Sequence, residues 1–228
     1  MFKKSITYLP ALHSFPPPLG LNLTSATPAK SLVLASTSRY RAELLNRLQL
    51  PYSVIAPNCD EAPLAGEDCA STAIRLAAAK ARAGAVGAGA MQAGLASGLI
   101  IGSDQVADLE GVALGKPGTR DNAIKQLREM RGKRVVFHTA LALLDVASGR
   151  LQRVVVPTVV IMRGYSDEAI SCYLDRENAL DCAGSAKSEG LGAALIATMT
   201  SDDPTALVGL PLLSLITMLA NEGVEVLT

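Results

Sequence analysis

Histidine and paired cysteine are scarce in this chain. His13 and His138 are its two histidines, and Cys59, Cys69, Cys172 and Cys182 form no Cys-x-x-Cys pair. A structural zinc needs four closely spaced ligands of these types, so none is expected. The cysteines read as reduced thiols, which points to the cytoplasm. Charge of one sign is also lacking. Lys plus Arg and Asp plus Glu both number 21, and the pI is near 6.7. That balance gives no overall pull toward nucleic acid or an acidic membrane surface, so basic groups must work locally, in a pocket. No apolar run reaches the ~18 uninterrupted residues that span a bilayer, although 49% of the residues are hydrophobic, many of them alanine. Neither nucleic acid nor membrane is an expected partner.

The 228 residues suit one domain, or one domain of two lobes, with a real core. Residues 1–30 stand apart. They carry no acid, the lysines Lys3, Lys4 and Lys30, and the run Phe15-Pro16-Pro17-Pro18. Pro10 and the prolines that follow break up the apolar stretch a signal peptide needs, and no clear cleavage site follows. A disordered N-terminal extension over 1–30 and a folded domain over 31–228 are the expectation.

From Ser31 onward the pattern alternates. A strand near 31–35 leads to a helix near 38–49, and Tyr52 to Ala56 reads as a short strand. A helix from about Asp68 to Gly84 is followed by a Gly/Ala-rich stretch to Gly98, a loop or a frayed extension. Gln92 stands where the third glycine of a dinucleotide fingerprint would be, and no strand precedes Gly87-Ala88-Gly89, so a Rossmann site is excluded. Leu99-Ile100-Ile101 is a buried strand expected to end at Gly102-Ser103-Asp104. A helix spans Asp121 to Met130. Val135 to Leu144 and Leu151 to Met162 form a hairpin across Ala147-Ser148-Gly149. Ser166 caps a further helix, Leu207 to Leu219 reads as an apolar helix, and Val224 to Leu227 as a last strand. This order predicts an α/β fold: a mixed sheet flanked by helices, with a cleft between two lobes.

Chemistry-bearing residues gather at the junctions. Ser36, Thr37 and Ser38 lie between the first strand and helix, followed by Arg39, Tyr40 and Arg41. Unpaired N–H groups at a helix start, with hydroxyls and a guanidinium, suit an anion; an ordinary helix cap beside a surface arginine would look the same. Asp104 follows a core strand directly, where ligands of open sheets gather, but Asp also starts turns. Glu61 and its neighbour Asp60 could share a cation or be solvated loop acids. Lys80 lies beside the apolar stripe of its helix and must snorkel or meet an anion. Lys116, between Gly115 and Pro117, lacks the Walker spacing and reads as a rigid turn presenting an ammonium group. Ser185, Lys187, Ser188 and Glu189 crowd donors and acceptors into one Gly/Ser-rich turn. A hydrolase using Ser185 and Lys187 matches no known nucleophile spacing.

Five segments in order resemble the Maf family of nucleotide pyrophosphatases: Ala35-Ser36-Thr37-Ser38-Arg39-Tyr40-Arg41-Ala42-Glu43-Leu44-Leu45, Cys59-Asp60-Glu61, Ala78-Ala79-Lys80-Ala81, Gly102-Ser103-Asp104-Gln105 with Gly115-Lys116-Pro117, and Cys182 to Gly190. The resemblance runs from about Ser31 to the C-terminus. It implies an elongated α/β fold, shared with inosine-triphosphate pyrophosphatases, and hydrolysis of a nucleoside triphosphate to monophosphate and diphosphate. It further implies Asp104 as proton acceptor, and Glu61 with Asp104 as holders of a divalent Mg, Mn or Co ion. Ser36, Arg41, Lys80, Lys116 and Lys187 would then bind substrate. Ser-Asp-Gln and Lys-Ser-Glu-Gly are similar to the subfamily acting on 7-methyl-GTP; dTTP- and UTP-hydrolysing relatives usually carry Thr at 105 and Gln at 189. Tyr40, Gln105 and Glu189 are the specificity candidates: an aromatic face attracts the cationic 7-methylguanine ring, and a carboxylate accepts from its N1–H and N2–H₂ edge. The 7-methyl-GTP relatives usually have Pro-Trp where Arg39-Tyr40 stands. A dTTP/UTP pyrophosphatase and a non-catalytic nucleotide-binding regulator of septation are the alternatives. A homodimer is left open.

Overall fold

The computed structural model describes residues 30–62, 64–91 and 98–227. Strand β1 (Ser31–Ala35) pairs in parallel with β2 (Tyr52–Ile55) on one side and β3 (Gly98–Leu109) on the other. Beyond β3 the sheet turns antiparallel through β5 (Arg134–Asp145), β6 (Leu151–Met162) and β7 (Ile196–Ser201), in the order β2-β1-β3-β5-β6-β7. The short β4 (Val112–Leu114) folds back on β3 through Glu110 and Gly111, whose φ of 56° and 86° make the primed hairpin turn that matches strand twist. The expected mixed sheet flanked by helices is observed.

Register locates the cleft. Pairing of β1 with β3 ends at Leu34↔Ile101, and pairing of β4 begins at Ala107↔Leu114. On the opposite edge β3 stays paired with β5 from Leu99↔Asp145 to Asp108↔Val136. Residues 102–106 therefore have one edge that neither β1 nor β4 covers. Asp104 lies in the middle of that gap.

Two apolar cores flank it. One gathers β1, helix α1 (Arg39–Asn46), helix α5 (Leu212–Ala220) and the near halves of β3 and β5. The other gathers β4, helices α3 (Arg120–Met130) and α4 (Asp167–Arg176), and the far halves of β3, β5 and β6. Strands β3, β5 and β6, 12 residues each, run through both lobes. Helix α2 (Cys69–Met91) crosses the sheet on a row of small residues, with Ala73, Ala77 and Ala81 fully buried. The row lets backbones approach closely. A Cβ on Gly102 would lie 2.6 Å from the amide nitrogen of Ala81, and one on Gly84 would lie 2.5 Å from the Ala35 Cβ.

Four expectations are corrected. The third strand does not end at Gly102-Ser103-Asp104 but continues to Leu109, because β5 pairs with it throughout. The helix does not end near Gly84; of the two readings of the stretch that follows, the extension holds as far as Met91 and the loop does not, and Gly84 and Gly87 serve close packing on Ala35, Ile100 and Ile55. Residues 92–97 of that stretch lie outside the described residues. The last helix starts at Leu212, not Leu207, since Asp203 and Thr205 gather the preceding turn and accept from the amides of Leu213 and Leu212. Val224 to Leu227 is not a strand; Val224 and Val226 pack on the first core as an irregular tail. The extension expected over 1–30 lies outside the described residues except for Lys30, which is tied to the core. Its ammonium lies 3.1 Å from Asp145 and 3.2 Å from Glu222.

Candidate active site

The open edge of β3 forms the floor of a cleft of about 990 Å³ lined by both lobes. One wall is the β1–α1 junction. Ser38 caps α1 and accepts from the amide of Arg41. Ser36, buried, accepts from the amide of Ser38 and from Arg41 Nη1 at 3.4 Å. Arg41 Nε donates to the carbonyl of Gly209 at 2.9 Å. Burial pulls the guanidinium down from its usual value while Asp104 and Glu61 pull it up; it stays charged.

On the floor, Lys80 and Asp104 are both buried and lie 2.6 Å apart. The contact follows from the fold: Gly102 brings the α2 backbone onto β3, and the lysine, held against the strand, is not left to solvent. It meets anions instead. Its ammonium also lies 2.9 Å from Glu61, an exposed residue on the loop before α2. Partial burial pushes the Glu61 carboxyl up, but the hydrogen bond and charge of Lys80, with Lys116 and Arg41, hold it below its ordinary value. Asp60 turns away and accepts from the amide of Ala62.

Asp104 and Glu61 thus converge on one cation. Among the described residues no three His, Cys, Asp or Glu side chains are grouped so as to hold a metal ion. Two carboxylates fit a divalent ion of the magnesium type, which keeps several waters and takes the rest of its shell from substrate phosphates. They do not fit a closed structural site.

Lys116 is exposed in the cleft, on a turn with fixed supports. Gln126 donates to Gly115 O at 3.0 Å, Asn122 to Pro117 O at 3.0 Å, and the amide of Gly118 to Leu180 O. Gln105 is placed differently from a free amide. Its NH₂ group faces Thr139 Oγ1 and the carbonyls of Ala206 and Leu207. Carbonyls only accept, so the amide must present its nitrogen to this wall, and its carbonyl oxygen is what it can offer a ligand.

The fourth group, Tyr40 and residues 182–190, lies at the mouth. Glu189 is exposed and lines the cleft. Lys187 does not. Its ammonium sits 2.5 Å from Glu177 on α4 and 5.9 Å from the centre of the Tyr40 ring. Ser185 is buried and donates to Gln126 at 2.7 Å, which removes the Ser185–Lys187 hydrolase.

Five supporting residues escaped the sequence reading. Ser103 lies within hydrogen-bond distance of the carbonyls of Ala140 and Gly209, so Gly209 O joins β3 to Arg41. Arg75 binds Glu67 and the carbonyl of Ala62, fixing the loop that carries Glu61. Tyr173 contacts Ser185 O and the amide of Lys187, and Glu177 accepts from the amide of Leu191. The one available signal was a buried-face hydroxyl or acid on a capped helix; their partners are 12 or more residues away in most cases and have no local spacing.

The pattern of the Maf-like proteins matches residues 31–222, nearly the whole described chain. The chain belongs to the Maf family. A 7-methyl-GTP pyrophosphatase of Thiobacillus denitrificans is 54% identical over 198 residues, 87% of this chain and 95% of that protein. Proteins of the same name from Methylobacillus flagellatus and Paraburkholderia xenovorans are 55% and 56% identical over 196 residues, each covering 86% of this chain and 98% and 94% of their own lengths.

Proposed function

We propose that the cleft hydrolyses a nucleoside triphosphate, 7-methyl-GTP, between its α and β phosphates, releasing the monophosphate and pyrophosphate. The observation that carries this reading is the buried Lys80–Asp104 pair at the uncovered edge of β3, with Glu61 and Lys116 beside it. The names of relatives more than half identical supply the base.

Each residue has a task its position suits. Asp104 takes the proton of the attacking water as general base, a role worth about 10²–10⁴-fold. Lys80, Lys116 and Arg41 offset the triphosphate charge, with Ser36 as a hydroxyl donor. Glu61 and Asp104 would hold a divalent ion, Mg, Mn or Co. Such an ion, when bound, supplies positive charge at the phosphate oxygens. Lys187 acts through Tyr40, 5.9 Å from its ring centre, and Tyr40, Glu189 and the Gln105 carbonyl meet the base. Glu189 has the two acceptor oxygens that the guanine edge requires. The four free cysteines support a reducing, cytoplasmic setting. No helix among the described residues is long and apolar enough to cross a membrane.

The test is a panel of 7-methyl-GTP, GTP, dTTP and UTP, assayed for pyrophosphate with each of the three metals. The expected result is the highest kcat/KM with 7-methyl-GTP. Preference for dTTP or UTP would move the protein to the pyrimidine-acting relatives, and binding without pyrophosphate release would make it a regulator.

A further inference from the structure

Arg39 is exposed at the first position of α1, and its guanidinium lies against the ring of the next residue. Its Cζ lies 4.7 Å from the centre of the Tyr40 ring, and Nη2 donates to the Tyr40 hydroxyl at 2.8 Å. Lys187 places a second cation 5.9 Å from the same centre. The aromatic surface at the cleft mouth is therefore already serving a protein cation. The hydrogen bond adds to this: donation to the phenol oxygen draws electron density out of the ring, which weakens its attraction for any other cation.

A 7-methylguanine base carries a delocalised positive charge and a neutral guanine does not. Both can stack on Tyr40, but only the methylated base competes electrostatically with Arg39. We propose that Arg39 is a specificity-determining residue that acts against the cationic base, holding down the preference for 7-methyl-GTP over GTP. This rests on the function proposed above. A cationic base that stacks on Tyr40 meets the charge of the guanidinium already held there, so the cost falls on binding and shows in KM. The contact lies at the mouth, away from Lys80 and Asp104, so the chemical step is untouched.

The experiment measures kcat and KM for 7-methyl-GTP and GTP in the wild type, Arg39→Gln and Arg39→Lys. Glutamine keeps a donor for the Tyr40 hydroxyl and removes the charge; lysine keeps a cation. The expected result is a two- to fivefold rise in the 7-methyl-GTP over GTP ratio of kcat/KM for Arg39→Gln, about the scale of an exposed cation–π contact. The rise should come through KM for the methylated substrate, and Arg39→Lys should stay near the wild-type ratio. An unchanged or lower ratio for Arg39→Gln overturns the inference, as does an equal loss on both nucleotides, which would make Arg39 a phosphate ligand. Absence of turnover on either nucleotide in the wild type would instead remove the proposed function, and the inference with it.

Discussion

Gly102 faces the backbone of α2 so closely that a Cβ there would fall 2.6 Å from the Ala81 nitrogen and within the van der Waals shell of the Ala77 carbonyl oxygen. Neither atom belongs to a side chain that could swing aside. Gly102→Ala must push α2 off β3 and carry Lys80 away from Asp104. Overpacking of this kind costs about 1–3 kcal/mol. The expected outcome is a lower melting temperature together with lost turnover. Wild-type values for both would mean that α2 has slack.

Lys30 is the first described residue and is tied to the core by Asp145 and Glu222. We propose that residues 1–29 are dispensable, and a chain beginning at Lys30 should keep its rate and melting temperature. Lys30→Met should not, because it leaves the buried carboxylates of Asp145 and Glu222 without their ammonium partner. The loss should be about 1 kcal/mol, the net worth of a hydrogen bond, because Asp145 keeps Ser148 and Ala147 and Glu222 keeps Gln152. Denaturant unfolding of the two variants checks both statements.

Glu177 anchors the turn that carries Glu189. The hydrogen bond from Lys187, then the amide of Leu191, hold its carboxyl below its ordinary value of 4.5. A depressed acid contributes stability that is complete above its unfolded value and lost as pH falls through the folded one. The melting temperature of the wild type should therefore exceed that of Glu177→Gln by a constant margin above pH 5. The margin should shrink as pH drops below 4.5. A margin independent of pH would show that the anchor is not ionic.

Glu189→Gln should lower the ratio of kcat/KM for 7-methyl-GTP over UTP. An amide NH₂ would face the donors of the guanine edge, at a cost of about 1–3 kcal/mol. Pyrimidine nucleotides present acceptor carbonyls and should lose less. An unchanged ratio would mean that the carboxylate does not meet the base.

Much of the fold was legible because its signals are local. Ser38 and Ser166 cap the helices that follow them, and the β5–β6 hairpin announces itself by two long β-rich runs around Ser148-Gly149. The misreadings concern residues whose partners are distant. Gly84 and Gly102 look like breaks until the helix packed on the sheet is seen. Strand β7 gave no periodic signal because, at the edge, four of its six residues face solvent. That Ser36, Arg41, Glu61, Lys80, Asp104 and Lys116 should gather was expected from motif order, and all six line one cleft. Which of them touch was not legible, and Glu177 and Gly209, which hold the walls, carry no motif. Lys187 shows the limit: it was expected in the cleft, and its ammonium is committed to Glu177 instead.

The central claim is that Asp104 activates water against the α-phosphate, and hydrolysis in ¹⁸O-labelled water with wild type and Asp104→Asn tests it most directly. Labelled oxygen should enter the nucleoside monophosphate and not the pyrophosphate, and Asp104→Asn should slow turnover by about a hundredfold or more while keeping the melting temperature. Label in pyrophosphate, or near-normal turnover in the folded variant, would contradict the account.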